Sequence, residues 1–297
     1  MRIGYACMNT SIGCTSASTF RLSSWSEKRF KETVMQNLEC LEKILRWNLN
    51  HSIYFFRITS DLVPFASHSV CSVDWQAVFS DEFARVGEFI REHNIRVSMH
   101  PGQYTVLNSN RNDVVERSVL ELEYHAEVLD LMEQDRKAKI VLHVGGVYGN
   151  KEKAMDRFVR NYQQLSEPVR RRLIIENDER SYTVADCVKI HDVVGIPVVL
   201  DNLHHDANNG RESLSSAFEM ARPTWKSCDG VPIVHYSSQA SGSRLGKHAL
   251  SIDLEDFWSV LDFLREHEFD LMLEVKDKEN SAIKALAAAE QMGLLNQ

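Results

Sequence analysis

Eight times in succession a short apolar run is followed by a longer amphipathic one, and this repetition constrains the fold more than any other property of the chain. The short runs are Arg2–Ala6, Ile53–Ile58, Arg96–Met99, Lys139–Val144, Leu173–Glu176, Pro197–Asp201, Pro232–Tyr236 and Leu271–Val275. Most are rich in Val, Ile and Leu with little polar alternation, the pattern of strands covered on both faces. The segments between them carry apolar residues at spacings of three and four. In Glu27–Trp47 these are Phe30, Val34, Leu38, Leu41 and Leu45, one stripe of a helix. Trp75–His93, Asn112–Met132, Lys151–Leu165, Val184–Val194, Arg211–Ala221, Leu254–His267 and Glu279–Met292 read the same way. Parallel strands need crossover helices, and eight such units can close a TIM-type (β/α)8 barrel without an exposed edge. A doubly wound open sheet is the alternative. The first strand, however, is followed by no Gly-x-Gly-x-x-Gly turn of the dinucleotide-binding kind. No Pro/Gly/Ser-rich linker interrupts the pattern, so one α/β domain over residues 1–297 is expected.

No apolar run approaches the ~18 residues of a membrane span. The opening MRIGYACMNT reads as a strand rather than a signal peptide, which points to a cytoplasmic protein. The six cysteines, Cys7, Cys14, Cys40, Cys71, Cys187 and Cys228, form no Cys-x-x-Cys pair and are expected as free thiols in a reducing compartment.

Chemistry emerges when the polar residues are placed on the strand map. His100 ends the third strand, His143 the fourth, Glu176 the fifth, Asp201 the sixth, His235 the seventh and Glu274 the eighth. In a barrel the carboxyl ends of the strands share one rim, where active sites of this architecture lie. Each residue alone has a bland reading. A histidine in an apolar strand is usually a hydrogen-bonded core residue, and an acid at a strand end often caps the next helix. Six consecutive strands ending this way are harder to dismiss, because neighbouring carboxylates repel unless cations neutralise them.

Asp201-x-x-His204, followed by His205, and His248 beyond the seventh strand extend the set. Mixed imidazole and carboxylate ligands suit Mn²⁺ or Zn²⁺, with Mn²⁺ preferred and Mg²⁺ or Co²⁺ open. His100, His143, Glu176, Asp201, His204, His235, His248 and Glu274 exceed one ion's needs, so two or three ions bridged by carboxylates are expected. Such ions clamp the oxygens of a phosphodiester and supply metal-bound hydroxide near neutral pH. His51, His93, His125, His191 and His267 fall on helices or their ends and read as structural; His68 lies in a loop.

At these residues the chain resembles the UV damage endonuclease family, a TIM-barrel group related to endonuclease IV. The resemblance runs nearly end to end. It covers Gly4-Tyr5 with Asn9, His100-Pro101-x-Gln103-Tyr104, and the segment from His143 through Gly145-Gly146, Tyr148 and Gly149 to Asn150-Lys151. It continues in Glu176-Asn177-Asp178, Asp201-x-x-His204-His205, His235-x-Ser237-Ser238, His248 and Glu274. It implies a nick immediately 5′ to cyclobutane dimers and 6-4 products in double-stranded DNA, leaving a 3′-hydroxyl, with tolerance for abasic and other distorting lesions. By position, His100, His143 and Glu176 would bind one ion. Glu176, Asp201, His235 and Glu274 would surround a second, and His204 with His248 a third. Glu176, Glu274 and His235 would form the catalytic core of that set.

Gln103 and Tyr104 match the pair that fills the duplex where damaged bases are extruded, with Tyr5 assisting from the first loop, and Asn9 and Lys151 among the DNA contacts. The family often carries a lysine two residues before the seventh-strand histidine that becomes carboxylated; here Ile233 stands there.

A formal charge of −8 is unusual for a DNA-binding protein, but three divalent ions would reduce it to −2. Arg21, Arg57, Lys151, Arg180, Arg244 and Lys247 are candidate phosphate contacts, Lys151 first because it opens a helix. Two rival readings remain. A sugar isomerase or epimerase of the xylose isomerase type would need two metals but no Gln-Tyr wedge. A lesion-binding protein without catalysis would not need the full ligand set. A monomer is expected.

Overall fold

The structure is a computed structural model and describes residues 1–295. Eight parallel strands close into a barrel in sequence order, from β1 (Ile3–Ala6) through β2 (Phe55–Ile58), β3 (Arg96–Met99) and β4 (Lys139–His143). β5 (Leu173–Glu176), β6 (Val198–Asp201), β7 (Ile233–Tyr236) and β8 (Asp270–Leu273) complete it, and β8 pairs back onto β1 at Ile3↔Leu271. The helices that follow the strands are α1 (Glu27–Asn50), α2 (Ser80–Glu92), α3 (Asn112–Leu131), α4 (Lys151–Gln163), α5 (Val184–Val194), α6 (Leu214–Ala221), α7 (Leu254–Leu264) and α8 (Glu279–Gln291). The expected (β/α)8 barrel is present. The second amphipathic segment is broken, with a four-residue turn at Trp75–Val78 preceding α2. β8 ends one residue before Glu274, as β3 ends one before His100.

Period-two alternation divides the strands into two populations. Out-facing residues such as Tyr5, Phe56, Val97, Leu142, Ile175, Leu200, Val234 and Leu273 join the helix stripes in the large outer core. In-facing Ala6, Phe55, Val141, Ile174, Val199, Ile233 and Met272 form a separate apolar cluster inside the barrel. Each fully buried Leu, Ile, Val or Phe contributes about 1.5–3 kcal/mol. Gly4 belongs to the inner set, and a Cβ there would lie 2.2 Å from the Phe55 carbonyl oxygen, so no larger residue fits.

Below this layer, at the strand starts, the in-facing residues are charged and paired. Lys139 Nζ donates to Asp229 at 2.6 Å and Arg96 Nη1 to Asp270 at 2.9 Å. Above it, at the strand ends, the same parity presents Arg57, His100, His143, Glu176, Asp201, His235 and Glu274.

Local sequence sets the boundaries. Thr183 and Asp186 form a reciprocal capping box that starts α5, and Gly195 ends it in the left-handed region at φ 71°. Asn150 caps α4 by accepting from the Lys153 amide.

One expectation is corrected. Cys14 and Cys40 are joined in a disulfide, their Cα atoms 6.0 Å apart, while Cys7, Cys71, Cys187 and Cys228 are free. The reason is spatial: the long β1–α1 loop folds back over α1, which places Cys14 against Cys40 within bonding distance.

Candidate metal centre

Strand pairing holds the rim residues level. His143 pairs with Glu176 across β4 and β5, and Asp201 with His235 across β6 and β7. Because these positions share the in-facing parity, their side chains converge over the apolar layer.

Glu176 is the hub. It is 1% exposed, and its Oε1 lies 2.8 Å from His100 Nε2 and 2.9 Å from His143 Nε2. Its Oε2 accepts from His235 Nδ1 at 2.5 Å. The same His235 nitrogen lies 3.3 Å from Glu274 Oε1. Two groups therefore have all ligand atoms within 4.8 Å of one another: His100, His143 and Glu176, and Glu176, Asp201, His235 and Glu274. These are the first two sets expected from sequence.

His204 and His248 face each other with ring centroids 6.0 Å apart, and His204 also lies 5.6 Å from His143. Among the described residues no third group of three ligands forms around them.

The surrounding hydrogen bonds orient the imidazoles. His100 Nδ1 lies 3.0 Å from the Pro101 carbonyl and His204 Nδ1 3.1 Å from that of Asn177, so each donates there and turns Nε2 to the rim. Asn177 also clamps the Asp201 backbone through both its N–H and its C=O. Sequence reasoning includes Asn177 in the Glu176-Asn177-Asp178 segment but gives it no role.

The electrostatics are those of a cation site. Burial alone would raise the Glu176 carboxyl, but His143, His235 and His100 hold it well below its ordinary range. Burial is likewise outweighed at Glu274, which Arg57 and His235 hold down. At Asp201 burial wins, aided by Glu274 and Glu176, and pushes the group up against the pull of His204. Burial would lower His143, yet Glu176, with Asp178 and Glu274, pushes it up to about 9. Asp201 Oδ2 is buried without a hydrogen-bond partner, as are His143 Nδ1 and His248 Nδ1. An unsatisfied buried carboxylate oxygen beside imidazoles fits a hard or borderline divalent ion.

Gln103 and Tyr104 lie in the exposed loop after β3, with Tyr104 84% exposed. Three expectations are corrected. Tyr5 lies on β1 rather than in a loop, and its out-facing parity buries it completely; its hydroxyl donates to Asn48 and accepts from Asn9. Asn9 is buried with it and also caps the Ser11 amide. Arg57, expected as a phosphate contact, points inward and lies 2.6 Å from Glu274 Oε1 and 2.9 Å from His235 Nε2. Its in-facing parity with Phe55 was the overlooked signal. Lys151 opens α4 and pairs with Asp186 at 2.7 Å. Arg21, Arg180, Arg244 and Lys247 are exposed. His205 turns away to the Glu212 carbonyl.

A closed parallel barrel with histidines and acids gathered on its carboxyl-end rim defines a TIM-barrel protein of the kind that includes metal-assisted hydrolases and sugar epimerases. The comparisons choose between them. The family model of UV-endonuclease UvdE matches residues 1–295, and the chain belongs to that family. It is 41% identical to the UV DNA damage endonuclease of Clostridium perfringens over 98% of this chain and 71% of that protein. The enzyme of the same name from Bacillus mycoides is 34% identical over 96% of this chain and 93% of its own. The crystal structure of SacUVDE superposes with a TM-score of 0.95 at 45% identity, covering 99% of this chain and 100% of that one. Endonuclease IV from Thermus thermophilus shares the fold alone, with a TM-score of 0.58 at 16% identity over 84% of this chain and 94% of that one. The chain is thus a DNA endonuclease of UV-damage repair, and damaged DNA is its substrate. Among the described residues no helix is long and apolar enough to cross a membrane.

Proposed function

We propose that this endonuclease nicks the phosphodiester immediately 5′ to cyclobutane dimers and 6-4 products, and to some abasic or distorting lesions, leaving a 3′-hydroxyl. The observation that carries the metal part of this reading is Glu176, which belongs to both ligand groups and can bridge two ions. His100, His143 and Glu176 would hold one ion, Glu176, Asp201, His235 and Glu274 a second, and His204 with His248 would serve a third. Mn²⁺ suits the donor set best, with Zn²⁺, Mg²⁺ or Co²⁺ as alternatives. Ions bound there supply positive charge to the phosphate oxygens and lower the pKa of the attacking water.

The chain's own residues do the rest. Glu176 fixes three imidazoles at 2.5–2.9 Å, so the ligand sphere is arranged before substrate arrives. Tyr104, exposed beside Gln103, can enter the duplex and replace stacking lost when the damaged bases swing out, worth ~1–3 kcal/mol per base. The first turn of α4 offers amide donors to a phosphate, with Lys151 joining once its pair to Asp186 opens. Ile233, in the apolar layer, provides no carboxylated lysine, so the centre relies on the rim residues alone. We read the whole chain as one domain acting as a cytoplasmic monomer.

The test is nicking of irradiated supercoiled plasmid with Mn²⁺ against EDTA, with the cut mapped at nucleotide resolution. Cuts away from the 5′ side of the lesion, or activity that survives chelation, would overturn this reading. Ketose turnover under the same conditions should be absent.

A further inference from the structure

Arg57 has no place in the ligand sets above, yet it touches two members of the second. It is 5% exposed, and its Nη2 lies 2.6 Å from Glu274 Oε1 and 2.9 Å from His235 Nε2. Its Nε is buried without a partner. A guanidinium has five donors and no acceptor, and it stays charged. The nitrogen of His235 that faces it must therefore offer a lone pair. A neutral imidazole has one lone pair and one N–H, so the hydrogen then belongs to Nδ1, which meets Glu176 Oε2 at 2.5 Å.

Nδ1 is also the nitrogen that faces Glu176 and Glu274, and so the one that would ligate an ion held with them. A ligating Nδ1 cannot keep its hydrogen. In the neutral ring that hydrogen moves to Nε2, where two donors would then oppose each other across 2.9 Å. The contact between Arg57 and His235 is thus compatible with the metal-free arrangement and incompatible with a loaded second site.

We propose that Arg57 is an internal counter-cation that stands in for the second divalent ion. In the metal-free protein its charge neutralises Glu274 and its N–H satisfies His235, which keeps three clustered acids together without an ion. When the ion binds, Arg57 releases His235 and the imidazole reverses its tautomer. Arg57 is a positioning residue on this account: it preserves the site for the ion and competes with it. The inference rests on the metal reading above and concerns occupancy rather than the nicking reaction.

Two measurements test it. In the metal-free wild-type chain, nitrogen-15 NMR of the histidines should show His235 hydrogenated at Nδ1 and bare at Nε2, reversing when Mg²⁺ or Zn²⁺ is added. A metal-free His235 hydrogenated at Nε2 would overturn the proposal without any variant. In calorimetric titration with Mn²⁺, Arg57→Gln should bind the second ion at least about tenfold tighter, opposite in sign to the loss of about 10–100-fold that follows when a supporting outer partner is removed. Arg57→Lys, which keeps the charge, should stay nearer the wild type. Arg57→Gln should also lower the melting temperature of the metal-free form more than that of the loaded form. Unchanged or weaker binding of the second ion in Arg57→Gln would mean that Arg57 supports the site instead of occupying it, and would refute the proposal. A wild-type chain that takes up no second ion would instead bring down the metal reading, and this inference with it.

Discussion

Replacing Glu176 with Gln preserves side-chain volume and removes one charge where the structure concentrates its contacts. Three imidazole nitrogens lie 2.5, 2.8 and 2.9 Å from its two oxygens, and it belongs to both three-or-more-residue ligand groups. One substitution therefore takes a ligand from each of two ions. Outer partners of metal ligands command ~10–100-fold in affinity or activity, and a direct bridging ligand should reach at least the upper end for each ion. The combined loss expected is on the order of 10⁴-fold in nicking. Single-turnover nicking of irradiated plasmid in Mn²⁺, with metal content measured on the same preparation, reads both quantities. Far-ultraviolet circular dichroism should be unchanged, since the barrel's cores do not include this residue. A Glu176→Gln protein that keeps both ions and nicks within tenfold of the wild type would refute the bridging role.

The remaining predictions follow from other parts of the molecule. Tyr104→Ala should reduce the preference for irradiated over intact duplex by about 5–150-fold, the equivalent of ~1–3 kcal/mol of lost stacking, while metal content stays constant. Burial would lower His143, but Glu176 and its acidic neighbours raise it to about 9, above the ordinary 6.5. Its stabilisation of the metal-free protein is therefore complete below pH 6.5 and is lost as pH rises through 9. With the side chain 34% exposed, that contribution is about 1–2 kcal/mol after solvent screening, and thermal melts at pH 6 and pH 9.5 should resolve it in the wild type but not in His143→Gln. Cys40→Ser should lower stability by about 3–4 kcal/mol, because the disulfide closes a loop with a sequence separation of 26; equal denaturation midpoints in oxidised and reduced wild type would contradict this.

The barrel and most of its rim could be read from the sequence because each strand carries a continuous apolar run and ends in a ligand type. That pattern places His143, Glu176, Asp201 and His235 on the strands where they lie, whereas His100 and Glu274, read as strand ends, lie one residue beyond theirs. Strand parity explains two of the errors. Tyr5 takes its expected role from the family resemblance and Arg57 from nearness to the rim, whereas strand parity decides which way a side chain points. Parity sends Tyr5 out to Asn48 on α1 and Arg57 in to Glu274. Asn9 followed Tyr5 into the interior. The Cys14–Cys40 bond was beyond sequence reasoning because it depends on the path of a long loop. The helix Asn202–Ala207 was hidden as well: at six residues it is too short to show periodicity, although Asp201 capping the His204 amide starts it.

The hydrocarbon layer of Phe55, Val141, Ile174, Val199, Ile233 and Met272 separates the rim from the paired charges at the strand starts. It works as a dielectric floor. A charge altered above it is screened by solvent from one side only, so its field spreads laterally to the other rim groups. Changes at two rim positions should therefore not sum, whereas a change at Lys139 or Asp270 beneath the floor should leave the rim's behaviour almost untouched. Anyone altering this barrel could redesign its two ends separately, but would have to treat the whole upper ring as a single variable.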